Sequence, residues 1–576
     1  MQKKTSCVLV LGLLACGQLV AQEKNEDKDK NIGTEVVDVV KQYNPTIGDA
    51  NKINIQPRLD DSITTVKRNV NYTIFSVPVA STFTPAKGKA TGLKKAPKEE
   101  LYNTFASVGL GNYSAALVDF YTSIALNREE NLDLSLNHNS SQGGIDEVVL
   151  DDRYFDTSLE GGYRMQDRYM SWGVNGGFRH QIYNWYGIPQ ELYSESQIDG
   201  IDERQAYYTA ELGGNIDFKD SFFKGAEAKF RRFWDGFSSG ENRLILQPSF
   251  ELPISTEYID LGVKLDFLQG NFKSNYAATD DLKYSNLTTT ISPGLVILEE
   301  DLKIDLGANI VYRFDIEGSD HDFFIYPNVK ASYNLVEEFV IPYAGVTGEL
   351  TQNNYHDFVQ GNTFVSPTLN MVPSDEQYNA FVGVKGKFMQ GVGYNLKGSY
   401  SAINNNPLYR SNAVNYLSNE EGYSYGNSFG VVYDDMKILS VMGEVNVDIN
   451  RNFNLGLNAE FLDYNTDEAA EAWNLPTIKG SVFMDYQIGE KWLAGANLFY
   501  VGERKDLIDT PMLLDPTVVS IDGYFDINAR LAYQVSKPLS AFIRANNIAG
   551  NEYDRWVNYP VQGLQIMAGA SYKFDL

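Results

Sequence analysis

Near the C-terminus, apolar and polar positions alternate without a break. Leu564, Ile566, Ala568, Ala570, Tyr572 and Phe574 share one face of an extended segment; Gln565, Met567, Gly569, Ser571 and Lys573 share the other, Met567 being its one greasy member. Successive side chains of a strand point to opposite faces, so this period predicts a strand with one oily side and one mostly polar side. The pattern returns at Tyr208–Phe218, Ile304–Arg313, Phe453–Phe461 and Phe525–Tyr533. Repeated segments of about 10 residues with aromatics near their ends suit a transmembrane β-barrel. No strand edge can stay unpaired in hydrocarbon, so such a sheet has to close. The predicted fold is all-β: a transmembrane antiparallel barrel of about 22 strands over residues 102–576. The count rises to 24 if the weakly alternating run Leu408–Ser418 forms a segment of its own.

The connections alternate in length. Short turns are predicted at 128–130, 165–167, 219–220, 299–301, 336–338, 389–391, 450–452, 489–491 and 536–538. Longer polar loops lie at 184–203, 271–281, 314–321, 351–375, 464–473, 502–520 and 549–561. Short periplasmic turns and long outer loops are the rule for membrane barrels, which puts both chain ends on the periplasmic side and requires an even strand number.

Residues 1–21 read as an export signal. Lys3 and Lys4 precede the apolar run Val8–Ala15, and Leu19-Val20-Ala21 before Gln22 suits cleavage. The run is too short to span a bilayer as a helix. Both cysteines, Cys7 and Cys16, fall within residues 1–21, so the exported chain has no disulfide; Cys16 could alternatively carry a lipid.

Residues 22–101 form an N-terminal extension unlike the rest. They carry 13 basic and 11 acidic side chains, whereas residues 102–576 carry 33 basic and 64 acidic ones. The strongly negative balance argues against a nucleic-acid partner. Glu23–Lys30 reads as a solvated charge run, and Lys87, Lys89, Lys94, Lys95 and Lys98 place five positive charges just before the first strand. A wide barrel needs something in its lumen, and an acidic interior would draw this basic segment inward; the bland alternative is a periplasmic tail.

The first hairpin, FASVGLGNYSAALVDFYTSIAL at 105–126, has Gly109, Gly111, Asn112 and Tyr113 at a tight turn. The end of the chain reads FDINARLAYQVSKPLSAFIRANNIAGNEYD at 525–554, then GLQIMAGASYKF at 563–574, with Asn546-Asn547-Ile548 closing the penultimate strand. Over roughly residues 102–576 the sequence thus resembles the barrel of TonB-dependent outer-membrane receptors. The resemblance implies the outer membrane of a Gram-negative bacterium, contact with its lipid, and passage of a solute or macromolecule. Tyr572 and Phe574 become the candidate terminal-strand assembly signal. Thr34–Val40 is similar to the family's energy-coupling box. The family's plug domain is longer than the roughly 80 residues available before the barrel, so energy-coupled import does not follow. A scaffold subunit bound to other outer-membrane or periplasmic proteins is the competing class.

Enzyme and cofactor chemistry have no local signature. His138, His180, His321 and His356 are scattered, with no close partner at metal-ligand spacing. Asp315, Glu317, Asp320 and Asp322, and likewise Asp199, Asp202 and Glu203, lack the calcium-loop pattern and read as solvated surface. Trp172, Trp234, Trp492 and Tyr533 read as anchors at the membrane interface.

Overall fold

The computed structural model describes residues 101–576 apart from 255–256, 278–279, 418–419, 451 and 510–514. The expected signal at 1–21, the remainder of the N-terminal extension, and its five lysines lie outside the described residues.

Twenty-two antiparallel strands form one sheet, each paired with its neighbours along the chain. It closes where the first strand, Thr104–Gly111, pairs with the last, Gln565–Phe574, setting Val108 opposite Ala570 and Leu110 opposite Ala568. Closure leaves the sheet no edge, which is what allows a β-structure to sit in hydrocarbon. The alternation sets the two faces. Ile291, Ile310 and Ile325 stand side by side on adjacent strands, and Ile325 is 65% exposed on the outer face. One residue along, Asn309 turns inward, accepting from Ser292 Oγ at 2.8 Å and donating to the Gly348 carbonyl at 3.2 Å. Trp492 packs on Tyr533 at 4.6 Å beside the short turns, and Trp234 stacks on Tyr208 at 5.4 Å near the opposite rim. The rings thus mark the two ends of the apolar band.

Short turns gather at one rim and long loops at the other. Thr104 lies opposite Phe574 at the short-turn rim, where Asn103 N donates to Asp575 Oδ1 and Leu576 N to Asn103 Oδ1, both at 3.0 Å. The Asn-Asn-hydrophobic step works as a strand stop: Asn547 takes φ +47°, a left-handed conformation that asparagine tolerates, and Ile548 N donates to the Ile527 carbonyl.

The run Leu408–Ser418 is not a segment of its own. Leu408–Ser411 completes the strand Val392–Ser411, beyond a bulge between Ile403 and Asn406. The extra residue shifts the period: Leu408 is fully buried against Met436 and Trp473 while its neighbour Tyr409 faces the mouth loop, so the pattern across the bulge looks broken. Two long-rim connections, 142–153 and 412–428, also escaped the sequence reading.

Candidate functional site

The long loops fold inward over the lumen. The central one, residues 352–373, leaves the strand Ile341–Thr351 and carries the short helix Tyr355–Gly361. Asn354 starts that helix as its cap, its side chain accepting from Asp357 N at 3.1 Å. Tyr355, Phe358 and Val359 are buried. Tyr355 packs edge-on against Phe233 at 5.0 Å and Phe272 at 4.9 Å, both on the inner wall. Tyr284 lies across the wall at Gly270, where any Cβ would sit 2.2 Å from its hydroxyl oxygen. Burial of Phe358 alone contributes on the order of 1.5–3 kcal/mol.

A polar network fixes the same helix to the wall. Tyr355 Oη donates to Asp235 at 2.8 Å, and Tyr355 N donates to Glu241 Oε2 at 2.7 Å. Arg231 Nη2 donates to Asn354 at 2.7 Å, and Arg231 Nη1 pairs with Asp357 at 3.3 Å. Arg243 forks onto Asp266 at 2.9 and 2.8 Å and reaches Asp357 at 3.6 Å. Fork geometry is the strongest form of such a pair. Glu241 Oε2 also accepts from Tyr284, but Oε1 has only Arg231, 3.6 Å away, and no hydrogen bond. Burial works against the ionised Asp357, yet His356, Arg231 and Asn354 together hold it below the usual carboxylate range.

Further along, the loop is held by other strands. Gln360 accepts from Arg179 at 3.0 Å; Thr363 and Phe364 carbonyls accept from Tyr207 Oη and Trp185 Nε1. Tyr409 and Tyr433, on strands Val392–Ser411 and Phe429–Asn450, donate to the Phe358 and Asn370 carbonyls. The backbone meets the wall in one parallel bridge, Val365 with Phe429. The loop is therefore tied to both sides of the mouth, mainly by side chains.

Neighbouring loops complete the cover. Tyr559 stacks on Phe364 at 3.9 Å and donates to the Asn427 carbonyl; Asn427 Nδ2 donates to the Trp185 carbonyl at 2.8 Å. Tyr193 reaches Tyr425, and the hairpin Arg504–Ile508/Thr517–Ile521 presents Asp506 to Asn474 at 2.8 Å. Burial pushes Asp506 above its ordinary value despite bonds from Asn474, Ser411 N and Leu507 N.

The residues singled out in sequence separate cleanly. Tyr572 sits on the outer face of the closing strand, stacked on Phe574 at 5.8 Å. His138 bonds Thr157, His180 stacks on Tyr208, His321 leans on Tyr312, and only His356 enters the mouth network, through Asp357. Asp315 and Asp322 are both paired to Arg313. Among the described residues no group of three or more His, Cys, Asp or Glu could hold a metal ion. Arg231, Glu241, Arg243 and Asp266 were missed. Each is a charge on the inward parity of its strand, and that was the available signal.

No protein-family model matches the sequence, and no curated protein does. Solved structures do match by shape. The pyoverdine outer membrane receptor FpvA from Pseudomonas aeruginosa aligns at 12% identity, covering 84% of this chain and 80% of that one, with a TM-score of 0.61. The siderophore receptor PirA from Acinetobacter baumannii aligns at 13% identity over 83% and 81%, TM-score 0.60. The ferric-catecholate import receptor Fiu from E. coli aligns at 11% over 83% and 82%, TM-score 0.59. The chain has the 22-strand barrel fold of the TonB-dependent outer-membrane receptors.

Proposed function

We propose that the chain is an outer-membrane barrel that admits a solute or macromolecule, with the long-loop rim outside and both ends of the barrel periplasmic. The observation that carries this reading is the mouth: residues 352–373 cross it and are held mainly by side-chain bonds, with one backbone bridge to the wall. A closure of that kind can open without unzipping any barrel strand. The receptors of similar fold are named for pyoverdine, a siderophore and a ferric catecholate, and admission of such a ligand fits a mouth built to open.

Proteoliposome permeability tests passage. Passage requires that the barrel become permeable when the 352–373 loop is freed; a barrel that stays sealed with the loop freed would favour the scaffold subunit. Cysteine labelling of whole cells tests orientation, since residues 22–576 contain no cysteine. Single cysteines placed in 184–203 and 351–375 are expected to react from outside, and those at 299–301 and 489–491 are not.

A further inference from the structure

On the outer face near the long-loop rim, the apolar band ends abruptly on five adjacent strands. Strand register aligns Leu212, Phe230, Leu244, Phe267 and Leu287 as one apolar row. The row above, toward the long loops, reads Ala210, Arg232, Asn242, Gln269 and Ser285; the next reads Tyr208, Trp234, Gly240, Asn271 and Lys283. Arg204 and Lys273 are exposed at the rim above them. Arg232 therefore stands on a lipid-facing parity, one step above hydrocarbon. Its guanidinium reaches up over Gly240, where a Cβ would lie 2.8 Å from Nη2. A long basic side chain that bends toward the headgroups keeps its charge wet while its stem covers apolar surface.

Among the described residues, Arg204, Arg232 and Lys273 make no ion pair, and Lys283 has only Asp281, at 4.0 Å with both side chains well exposed. Arg204, Lys273, Tyr208 and Ser238 line a concavity of about 400 Å³ together with the acids Asp202 and Glu421. On the strand rows themselves the charges are all positive. Elsewhere on the outer face, Lys437 sits diagonally across one strand pair from Asp463.

We propose that this patch binds the phosphate groups of an anionic outer-leaflet lipid, lipid A being the species with that chemistry on its sugar. The acyl chains would lie on the apolar row and the phosphates on Arg232, Lys273, Arg204 and Lys283. The side on which the lipid is met in cells rests on the orientation proposed above; the binding chemistry does not.

The test uses the purified full chain in nanodiscs of zwitterionic phospholipid, titrated with bisphosphorylated lipid A and with the same lipid dephosphorylated. Bisphosphorylated lipid A is expected to bind, and dephosphorylation to abolish the preference. A basic residue near a charged lipid surface is worth about fivefold in affinity, so Arg232→Gln and the rim double variant Arg204→Gln/Lys273→Gln should weaken binding about fivefold and more than tenfold. Lys437→Gln, on a distant strand, should leave it unchanged. The rim pair lies at strand and loop ends, so it reports even if Arg232→Gln assembles poorly. Equal binding of both lipids, or a rim variant no weaker than wild type, would overturn the proposal. Photo-cross-linking from position 271 in cells separates the two readings: capture of a phosphoglycerolipid in place of lipid A would reverse the orientation and leave the binding chemistry intact.

Discussion

Arg231 on the inner wall places Nη1 3.3 Å from Asp357 Oδ1 and Nη2 2.7 Å from the Asn354 cap. One guanidinium thus holds both the cap and the first turn of the mouth helix. It is also the cation facing Glu241, which is 1% exposed. Removing one partner of a buried pair costs about 3–5 kcal/mol, because the other is left uncompensated. Arg231→Ala is expected to free the 352–373 loop, read as rapid protease cleavage within it while the strands stay intact. Arg231→Ala/Glu241→Gln removes the orphaned charge and should be cleaved more slowly than the single variant. Equal resistance of wild type and Arg231→Ala would show that the network does not hold the loop.

Tyr355 combines packing with a hydrogen bond, and two substitutions separate them. Tyr355→Phe keeps the contacts with Phe233 and Phe272 but strips the donor from buried Asp235, a loss of about 1–3 kcal/mol. Tyr355→Ala also empties the aromatic site, at about 3–5 kcal/mol by analogy with other aromatic truncations. Cells carrying the alanine variant should become the more sensitive to a large antibiotic, with phenylalanine in between. The reverse order would place the closure elsewhere.

The facing of the strands gives a third expectation. Ile325→Arg sets a cation against lipid, which costs roughly 2–4 kcal/mol near the midplane and should impair membrane assembly. Asn309→Arg points into the lumen and should assemble, as judged by heat-modifiable migration. Equal tolerance of both would contradict the facing.

The loop carboxylates set a pH response of unusual sign. Asp357 is held below its ordinary value of 3.8, so its contribution is complete above that value and is lost only as pH falls through the lower folded value. Asp506 is raised by burial, so its ionised form costs the closed mouth, increasingly as pH rises through the window above 3.8. From pH 7 to pH 5 the loops are therefore expected to become no less protected, measured by the same proteolysis. Loosening over that range would show that another group governs the mouth.

The barrel was legible because hydrocarbon imposes a strict period of two on every strand, and rows such as Ile291, Ile310 and Ile325 obey it. The mouth was not. Its residues, among them Tyr355, Trp185 and Tyr559, come from loops far apart in sequence, and no period links them. The lumen was expected to need an occupant, and the basic segment from Lys87 to Lys98 was the candidate; within the described residues it is the loops that fill the mouth. Leu408 shows the same limit on a smaller scale, since one bulge was enough to hide a strand end.

Closure of the barrel by its own loops can be read from single-channel conductance of the full chain in planar bilayers. Wild type should show little conductance, and replacing residues 355–371 with a short Gly-Ser linker should produce large, stable steps. Deleting residues 24–98 instead should leave wild-type conductance low. Large steps from wild type, no steps from the loop replacement, or steps only after the N-terminal deletion would show that the loops do not close the barrel.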